Sequence, residues 1–419
     1  MMSEAFLLGV GLTPFGVHAA RTHKDLAAEA VRAALADAGL SEGRAPIEGA
    51  YFGSCALSVF GQANLGGQVV LGPLQRGEDA CLPERLPVVN VEAACATGAA
   101  ALHGAVTAVR AGDLELCLVV GVDKTIVPDD PFRTVGIFLG ALDQLDPRLW
   151  QEHYASQAEA AGLTFAPSKQ RVVVLDAVAL AAEAHMQAHG VTREDLAFVA
   201  SKNRGHGALN PLAQRKKPIS ADAVLAEDVL CGPFSKSMCA PIGDGAAAAL
   251  ICSRAFLERA GARARARAVE VAACVLGGGL FAPLGGEPAA KGTAARAYER
   301  AGVVPSQVSL AEVHDATAFA ELRLCEALGF CEEGQGAAYA RAGHTTLGGE
   351  RPLNTSGGLV SKGHPLAATG IAQVAELATQ LRGEAGERQA REARVGLAHN
   401  GGGLLGFDEA LCAVTILRP

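Results

Sequence analysis

The sequence predicts a layered α/β protein built from two similarly ordered halves, and three features carry that expectation. Apolar, strand-like runs alternate with Ala-rich helical periods, the pattern that lays helices on a sheet. The order strand, small-residue turn, Ala-rich helix, strand occurs before residue 122 and again after 265, which suggests an internal duplication with a face-to-face site. Between them, residues 123–170 are rich in Asp, Pro and Phe and hold the only Trp, Trp150, so the chain leaves the sheet there.

Each element follows from local pattern. Residues 5–11 (AFLLGVG) read as a buried strand, and 24–39 carry helical spacing that ends at Gly39. A short strand is expected at 49–54, then a strand at 87–91, a sharp turn, a helix over about 96–111 and a strand at 116–121. A long helix is expected at 170–189, followed by a basic stretch, SKNRGHGALNPLAQRKKP, and a strand at 246–252. The second half reads as a strand at 268–275 and a helix at 290–302. Then come a strand end with a helix in VHDATAFAELRLCEALGF, a turn with a helix in GGLVSKGHPLAATGIAQVAELATQL, and two closing strands.

Composition narrows the function. The 419 residues exceed one small core, half of them are hydrophobic, and only 19% are charged. A net charge of -8 without a long basic block argues against nucleic acid. No run of about 18 apolar residues is present, so no membrane span is expected. The eleven cysteines form no CxxC pair, which argues against a zinc site. Their odd number, behind an N-terminus without a basic leader, points to reduced thiols and a cytoplasmic location.

Four side chains stand where chemistry is usually placed. Cys95, in VNVEAACATGAAALHGA, comes directly before an Ala-rich helix, whose amides and positive end favour a thiolate. A Cys among alanines also reads as a small buried hydrophobe. His364 precedes Pro365, which suits a first helical turn. That position disfavours an imidazolium and leaves a neutral base, a hydrogen-bond partner or a helix cap. His314, followed by Asp315, closes a strand, where α/β proteins place reactive groups; a structural His–Asp pair reads the same way. His399 closes another strand, and the glycines after it, Gly402 and Gly403 among them, either present amides to an oxyanion or turn a hairpin. Arg215, Lys216 and Lys217 either meet phosphates or form a solvated run. GDGAAAA and GGGL lack the spacing of a nucleotide-phosphate loop.

Taken jointly, GVGLTPFG, VNVEAACATGAAALHGAV, CAPIGDGAAAAL, EVHDATAF, NTSGGLVSKGHPLAATG and AHNGGG resemble the thiolase family, specifically its sterol-carrier-protein-type branch, in order and over essentially the whole chain. The resemblance implies a five-layer α-β-α-β-α fold. One half is 1–122 with 246–262, the other is 263–419, and an inserted loop domain, 123–245, covers coenzyme A. It implies acyl transfer between CoA thioesters, in synthesis or cleavage. Cys95 is then the acyl-accepting nucleophile, His364 its activator and His314 a holder of the thioester oxygen. Gly402 and Gly403 become oxyanion amides, and Arg215, Lys216, Lys217, Ser235 and Lys362 contacts of CoA. No metal and no permanently bound cofactor is implied, CoA thioester being the substrate. A homodimer or homotetramer is implied and, for some members, a small OB-fold, zinc-ribbon partner and retro-aldol chemistry.

Two positions depart from the family pattern. Ala316 and Thr317 follow the His–Asp pair where the branch often carries a cysteine, and His399 occupies the other place of an acid–base cysteine. Cys325 and Cys331 lie on or after the following helix. Ordinary reversible thiolysis is thereby set against a ketosynthase-like condensation, in which decarboxylation makes the carbanion and no separate base is needed.

Overall fold

The computed structural model describes residues 3–127, 129–168 and 171–419. Its strands are β1 (Ala5–Leu12), β2 (Gly49–Gly53), β3 (Val88–Val91), β4 (Leu116–Asp123), β5 (Val229–Cys231), β6 (Phe234–Ser235), β7 (Gly245–Ser253), β8 (Val269–Gly278), β9 (Leu310–Glu312), β10 (Gly396–Leu405) and β11 (Asp408–Arg418). Nine of them form one mixed sheet in the order β3-β2-β4-β7-β1-β8-β11-β10-β9, and β5 with β6 makes a separate ribbon. The first five strands of that order come from the first half and the last four from the second. Within the sheet, the halves meet where Phe6 and Leu7 of β1 pair with Glu270 and Val269 of β8.

The halves repeat one another in topology. In each, a strand enters the middle of the sheet and a helix returns the chain to the edge. A second helix, Thr97–Ala111 or Leu366–Leu381, then leads into a strand that pairs with an antiparallel neighbour, β4 with β7 or β10 with β11. Those two helices form the central layer. They pack so closely that a Cβ at Gly98 would stand 2.3 Å from the Ala367 carbonyl oxygen, and one at Gly370 would stand 2.7 Å from the Ala99 nitrogen. Leu102, Val106 and Val109 of one helix meet Ile371, Val374 and Leu377 of the other, with Val119 and Ile251 on one side and Val271 and Leu417 on the other. His23–Asp37 covers the outer face of the first half, and Ala289–Ala301 with Ala318–Ala327 covers that of the second. The result is the α-β-α-β-α layering that the resemblance to the thiolase family implies.

The segment between β4 and β7 is mostly helical: Pro131–Leu139, Pro147–Ala160, Val173–His189, Arg193–Ala208 and Ala221–Leu225. The helix expected at 170–189 is present from Val173, and its expected first residue lies outside the described ones. The basic stretch, to which the sequence reading assigns no element, has its first part in the helix Arg193–Ala208. That helix begins with a capping box in which Asp195 Oδ2 accepts from the Thr192 amide at 2.8 Å. Lys202 of this helix points inward: its Nζ donates to Glu321 Oε1 at 2.5 Å, both side chains being buried. Leu196, Val199 and Ala200 pack on Phe319 and Leu322, which fastens this segment to the second half. Among the described residues no helix is long and apolar enough to cross a membrane.

Candidate active site

The nucleophile candidate is presented by a strained turn. The chain leaves β3, passes through a short 3₁₀ turn at Ala94–Ala96 and enters the helix Thr97–Ala111. Ala94 has φ +47°, a left-handed conformation that costs a non-glycine residue energy and needs outside support. Three groups supply it. Thr97 Oγ1 donates to the Ala94 carbonyl at 2.7 Å and accepts from the Ala93 amide at 2.8 Å. Cys55 Sγ donates to the same carbonyl at 2.9 Å. Glu92 Oε1 accepts from the Ala94 amide at 2.6 Å. Cys95 is thereby held at the helix entrance, half-buried, against an apolar patch of Ala56, Val59, Ile137, Phe138 and Leu366.

Two imidazoles from the second half meet it. His314 lies just beyond the end of β9 and His364 just before the helix Leu366–Leu381. The Cys95 sulfur and one nitrogen of each ring lie within 4.8 Å of one another. The rings are nearly perpendicular, with centroids 5.0 Å apart. Their other contacts fix opposite tautomers. The Thr369 hydroxyl gives its proton to the Pro365 carbonyl at 2.9 Å, so it accepts from His364 Nδ1 at 2.7 Å. His364 then carries its proton on Nδ1 and keeps a lone pair on Nε2. Asn400 Nδ2 donates to His314 Nδ1 at 2.9 Å, which leaves the proton on His314 Nε2. One ring offers an acceptor and the other a donor.

Burial decides the charge states. It pushes the Cys95 thiol up to about 12, and the carboxylates of Asp123, Glu409 and Glu92 push the same way. Only the sulfur's contact with its own backbone amide opposes them. The thiolate expected from the helix position is therefore not the resting form: desolvation and three carboxylates outweigh the helix end. Burial also lowers His314 to about 4 and holds His364 well below the usual imidazole range, with His314 adding to the latter. The resting set is a thiol and two neutral rings. Such a set can transfer one proton from sulfur to His364 Nε2 when a nucleophile is required.

Buried carboxylates hold the two halves in register. Asp123, at the end of β4, accepts from the Cys55 and Ala56 amides at 2.9 Å, from Ser54 Oγ at 2.7 Å and from the Ala367 amide at 2.7 Å. It thus ties the floor of the Cys95 site to the helix that follows His364. Asp315 accepts from the Leu359 amide at 2.7 Å and from Asn203 Nδ2 at 2.9 Å. Glu312 accepts from the Ser356 amide at 2.9 Å and from its hydroxyl at 2.5 Å. Together they clamp the segment that leads to His364. Thr369, Asn400 and Asp123 were not singled out from sequence. Only a possible His–Asn–Gly strand end hinted at Asn400.

The other expected residues lie apart from this set. Leu397 packs toward the outer helices while Asn400 faces the central layer, so strand alternation turns His399 away from Asn400. His399 Nε2 meets Glu409 Oε2 at 3.1 Å, and with Cys412 these form a second convergence of atoms within 4.8 Å. Both convergences have the donor types of a zinc site, and the first also contains the reactive sulfur. Gly402 lies against the Cys95 turn, where a Cβ would stand 2.3 Å from the Ala96 nitrogen. Gly403 has φ +66° and follows it. Of the five CoA candidates, three are engaged in the interior. Arg215 donates to the carbonyls of Cys239 and Val360 at 2.9 and 3.1 Å. Ser235 is fully buried, and Lys362 is buried with its Nζ 3.6 Å from Glu312. Lys216 and Lys217 are exposed.

Comparison with known proteins agrees with this architecture. Residues 7–221 match the description "Thiolase, N-terminal domain", and residues 283–414 match "Thiolase C-terminal domain-like". Human sterol carrier protein 2 is 34% identical over 98% of this chain and 73% of its own length. The acetyl-CoA acetyltransferase of Methanothermobacter thermautotrophicus is 33% identical over 96% of this chain and 97% of its own. The benzoylsuccinyl-CoA thiolase subunit BbsB of Thauera aromatica is 29% identical over 96% and 95%. Among solved structures, the "Ltp2-ChsH2(DUF35) aldolase" superposes with TM-score 0.75 at 22% identity, over 99% of this chain and 97% of the other. Human mitochondrial 3-ketoacyl-CoA thiolase superposes with TM-score 0.65 at 16% identity, over 99% of both.

Proposed function

Because the chain belongs to the thiolase family and is an acyltransferase by that membership, we propose that it moves acyl groups between CoA thioesters through an acyl intermediate on Cys95. The observation that carries this is the convergence of the Cys95 sulfur with two neutral imidazoles of opposite tautomer. His364 Nε2 takes the thiol proton as the sulfur attacks the thioester carbonyl. The bond from the acyl carbon to the CoA sulfur breaks, and the departing CoA thiolate takes that proton from His364. His364 Nε2, free again, then takes a proton from the α-carbon of the second thioester while His314 Nε2–H donates to its oxygen, where enolate charge develops. The enolate carbon attacks the acyl group, the bond from the acyl carbon to Cys95 breaks, and the departing thiolate recovers that proton from His364. Splitting the transfer in this way replaces one difficult step with two easier ones.

The apolar patch beside Cys95 suits an acyl chain. Lys216 and Lys217 suit the phosphates of CoA, with 123–245 as the covering domain and a homodimer or homotetramer in the cytoplasm as the working state. A purified enzyme should turn over 3-ketoacyl-CoA with CoA, or condense two acyl-CoAs, and Cys95→Ala should abolish either reaction. Equal turnover in that variant would refute the proposal. A second reading is a condensing or retro-aldol subunit acting beside a small OB-fold, zinc-ribbon protein. It is motivated by Ala316 at the position of a branch cysteine and by the likeness to a chain named as a DUF35 aldolase. Full activity of the chain by itself would exclude a required partner.

A further inference from the structure

The atoms around Cys95 have a second use that acyl transfer does not require. A tetrahedral zinc ion holds its ligands about 3.3–3.6 Å apart, given bonds of about 2.0 Å to nitrogen and about 2.3 Å to sulfur. The Cys95 sulfur and one nitrogen of each ring lie within 4.8 Å of one another. A movement of about 1.5 Å or less therefore brings all three onto one ion. Each imidazole is braced from behind, as a metal ligand requires. His364 gives its Nδ1–H to Thr369 Oγ1 at 2.7 Å, which leaves the Nε2 lone pair free. His314 is held at Nδ1 by the Asn400 amide at 2.9 Å and carries its proton on Nε2. The other amide atom, Asn400 Oδ1, is buried with no partner among the described residues. Turning that amide over presents Oδ1 to a proton on His314 Nδ1 and leaves one amide atom unpartnered, as before. His314 Nε2 then offers a lone pair too. The second convergence differs, because its atoms already serve one another and their neighbours. His399 Nε2 meets Glu409 at 3.1 Å, and the Cys412 thiol donates to Thr293 Oγ1 at 3.3 Å.

We propose that Cys95, His364 and His314 form a reversible site for a thiophilic divalent cation, Zn²⁺ in particular, which shuts the nucleophile off. The site stands on geometry alone; its consequence for activity rests on the acyl-transfer reading. On binding, the S–H bond breaks and its proton leaves to solvent, while a sulfur–metal bond forms. His314 loses a proton at Nε2 and gains one at Nδ1, so the ring stays neutral, and no electron is transferred. A thiolate with two imidazoles suits zinc and selects against magnesium and calcium, which take oxygen ligands. The carboxylates of Asp123 and Glu92 oppose a bare thiolate, and for the same reason they favour a cation bonded to it. Cys95 is half-buried, so the fourth position on the ion is open to water. With the metal on Sγ and on His364 Nε2, neither atom is free to attack a thioester or to take a proton.

Cobalt(II) is the probe, because a cobalt–thiolate bond absorbs in the near ultraviolet and tetrahedral cobalt absorbs in the visible. Chelator-treated protein should take up one Co²⁺ per chain with both bands; Zn²⁺ should displace it and Mg²⁺ should not. Cys95→Ala should lose the ultraviolet band, and so should wild type alkylated at Cys95. Thr369→Val should weaken Zn²⁺ binding about ten- to a hundredfold, the usual weight of a group that orients a ligand. Equimolar Zn²⁺ should stop acylation of Cys95 by acetyl-CoA, and EDTA should restore it. Wild type without the ultraviolet band would overturn the proposal. So would a band that survives alkylation of Cys95, a band lost from folded Cys412→Ala, or acylation that proceeds at the unloaded rate with the ion bound. A chain that is acylated but shows no band overturns the cation site alone. One that shows the band but is never acylated keeps the cation site and overturns the acyl-transfer reading.

Discussion

Replacing Thr369 with Val probes the tautomer on which the proposed activation of Cys95 depends. The two side chains have nearly the same shape, and Thr369 is fully buried, so packing barely changes. What disappears is the bond to His364 Nδ1 at 2.7 Å and the bond to the Pro365 carbonyl at 2.9 Å. At about 1 kcal/mol each, their net loss lowers the unfolding free energy by about 2 kcal/mol. The Nδ1–H then has no acceptor, and leaving it so costs about 1–3 kcal/mol. The ring escapes that cost by moving its proton to Nε2, which destroys the lone pair that should take the thiol proton. Since each 1.4 kcal/mol is a factor of ten, the base-competent fraction falls roughly ten- to a hundredfold. Single-turnover acylation of Cys95, followed by released CoA, should slow by that factor, with the denaturant midpoint lowered. Thr369→Ser should restore both. A folded Thr369→Val protein that is acylated within twofold of wild type would refute the argument.

Three further outcomes follow from the same geometry. With the thiol near 12 and His364 neutral, alkylation of Cys95 by iodoacetamide should be slow at pH 7 and climb steadily to pH 10; a plateau from pH 6 onward would reveal a thiolate–imidazolium pair instead. Gly402→Ala drives a methyl group to 2.3 Å from the Ala96 nitrogen, so the Cys95 turn must shift and acylation should fall at least about a hundredfold, as misplacement of a reacting group typically does; unchanged acylation would show that this packing does not set the sulfur. His399 has its folded value raised to about 10 from an ordinary 6.5, so its contribution to stability is complete below 6.5 and is lost as pH rises through 10. Thermal midpoints should therefore drop between pH 7 and 10 more steeply in wild type than in Glu409→Gln, and parallel curves would contradict the ion pair.

Local pattern made much of this legible. The strands and the two central helices read correctly because their periodicity is strong, and Cys95, His314 and His364 stood out because each ends a strand or opens a helix. What the sequence hid is what acts across it. Asp123 meets the Ala367 amide 244 positions away, and no local signal couples them. The helix Arg193–Ala208 carried a capping signal at Thr192 and Asp195 that the sequence reading did not use. Lys202 lies buried because Glu321 meets it there, a long-range fact. The thiolate expectation failed for a related reason: a helix end is visible in sequence, whereas the desolvation and carboxylates that oppose it are assembled by the fold. Lys362 and Ser235, expected on CoA, lie in the interior for the same cause.

The most direct test of the account is the intact mass of the protein, with peptide mapping, after exposure to a panel of short, long and steroid-like acyl-CoAs. The account predicts one acyl group per chain, located on Cys95, discharged by added CoA and absent from Cys95→Ala. An unmodified chain with every thioester, or an acyl group located on another residue, would contradict it.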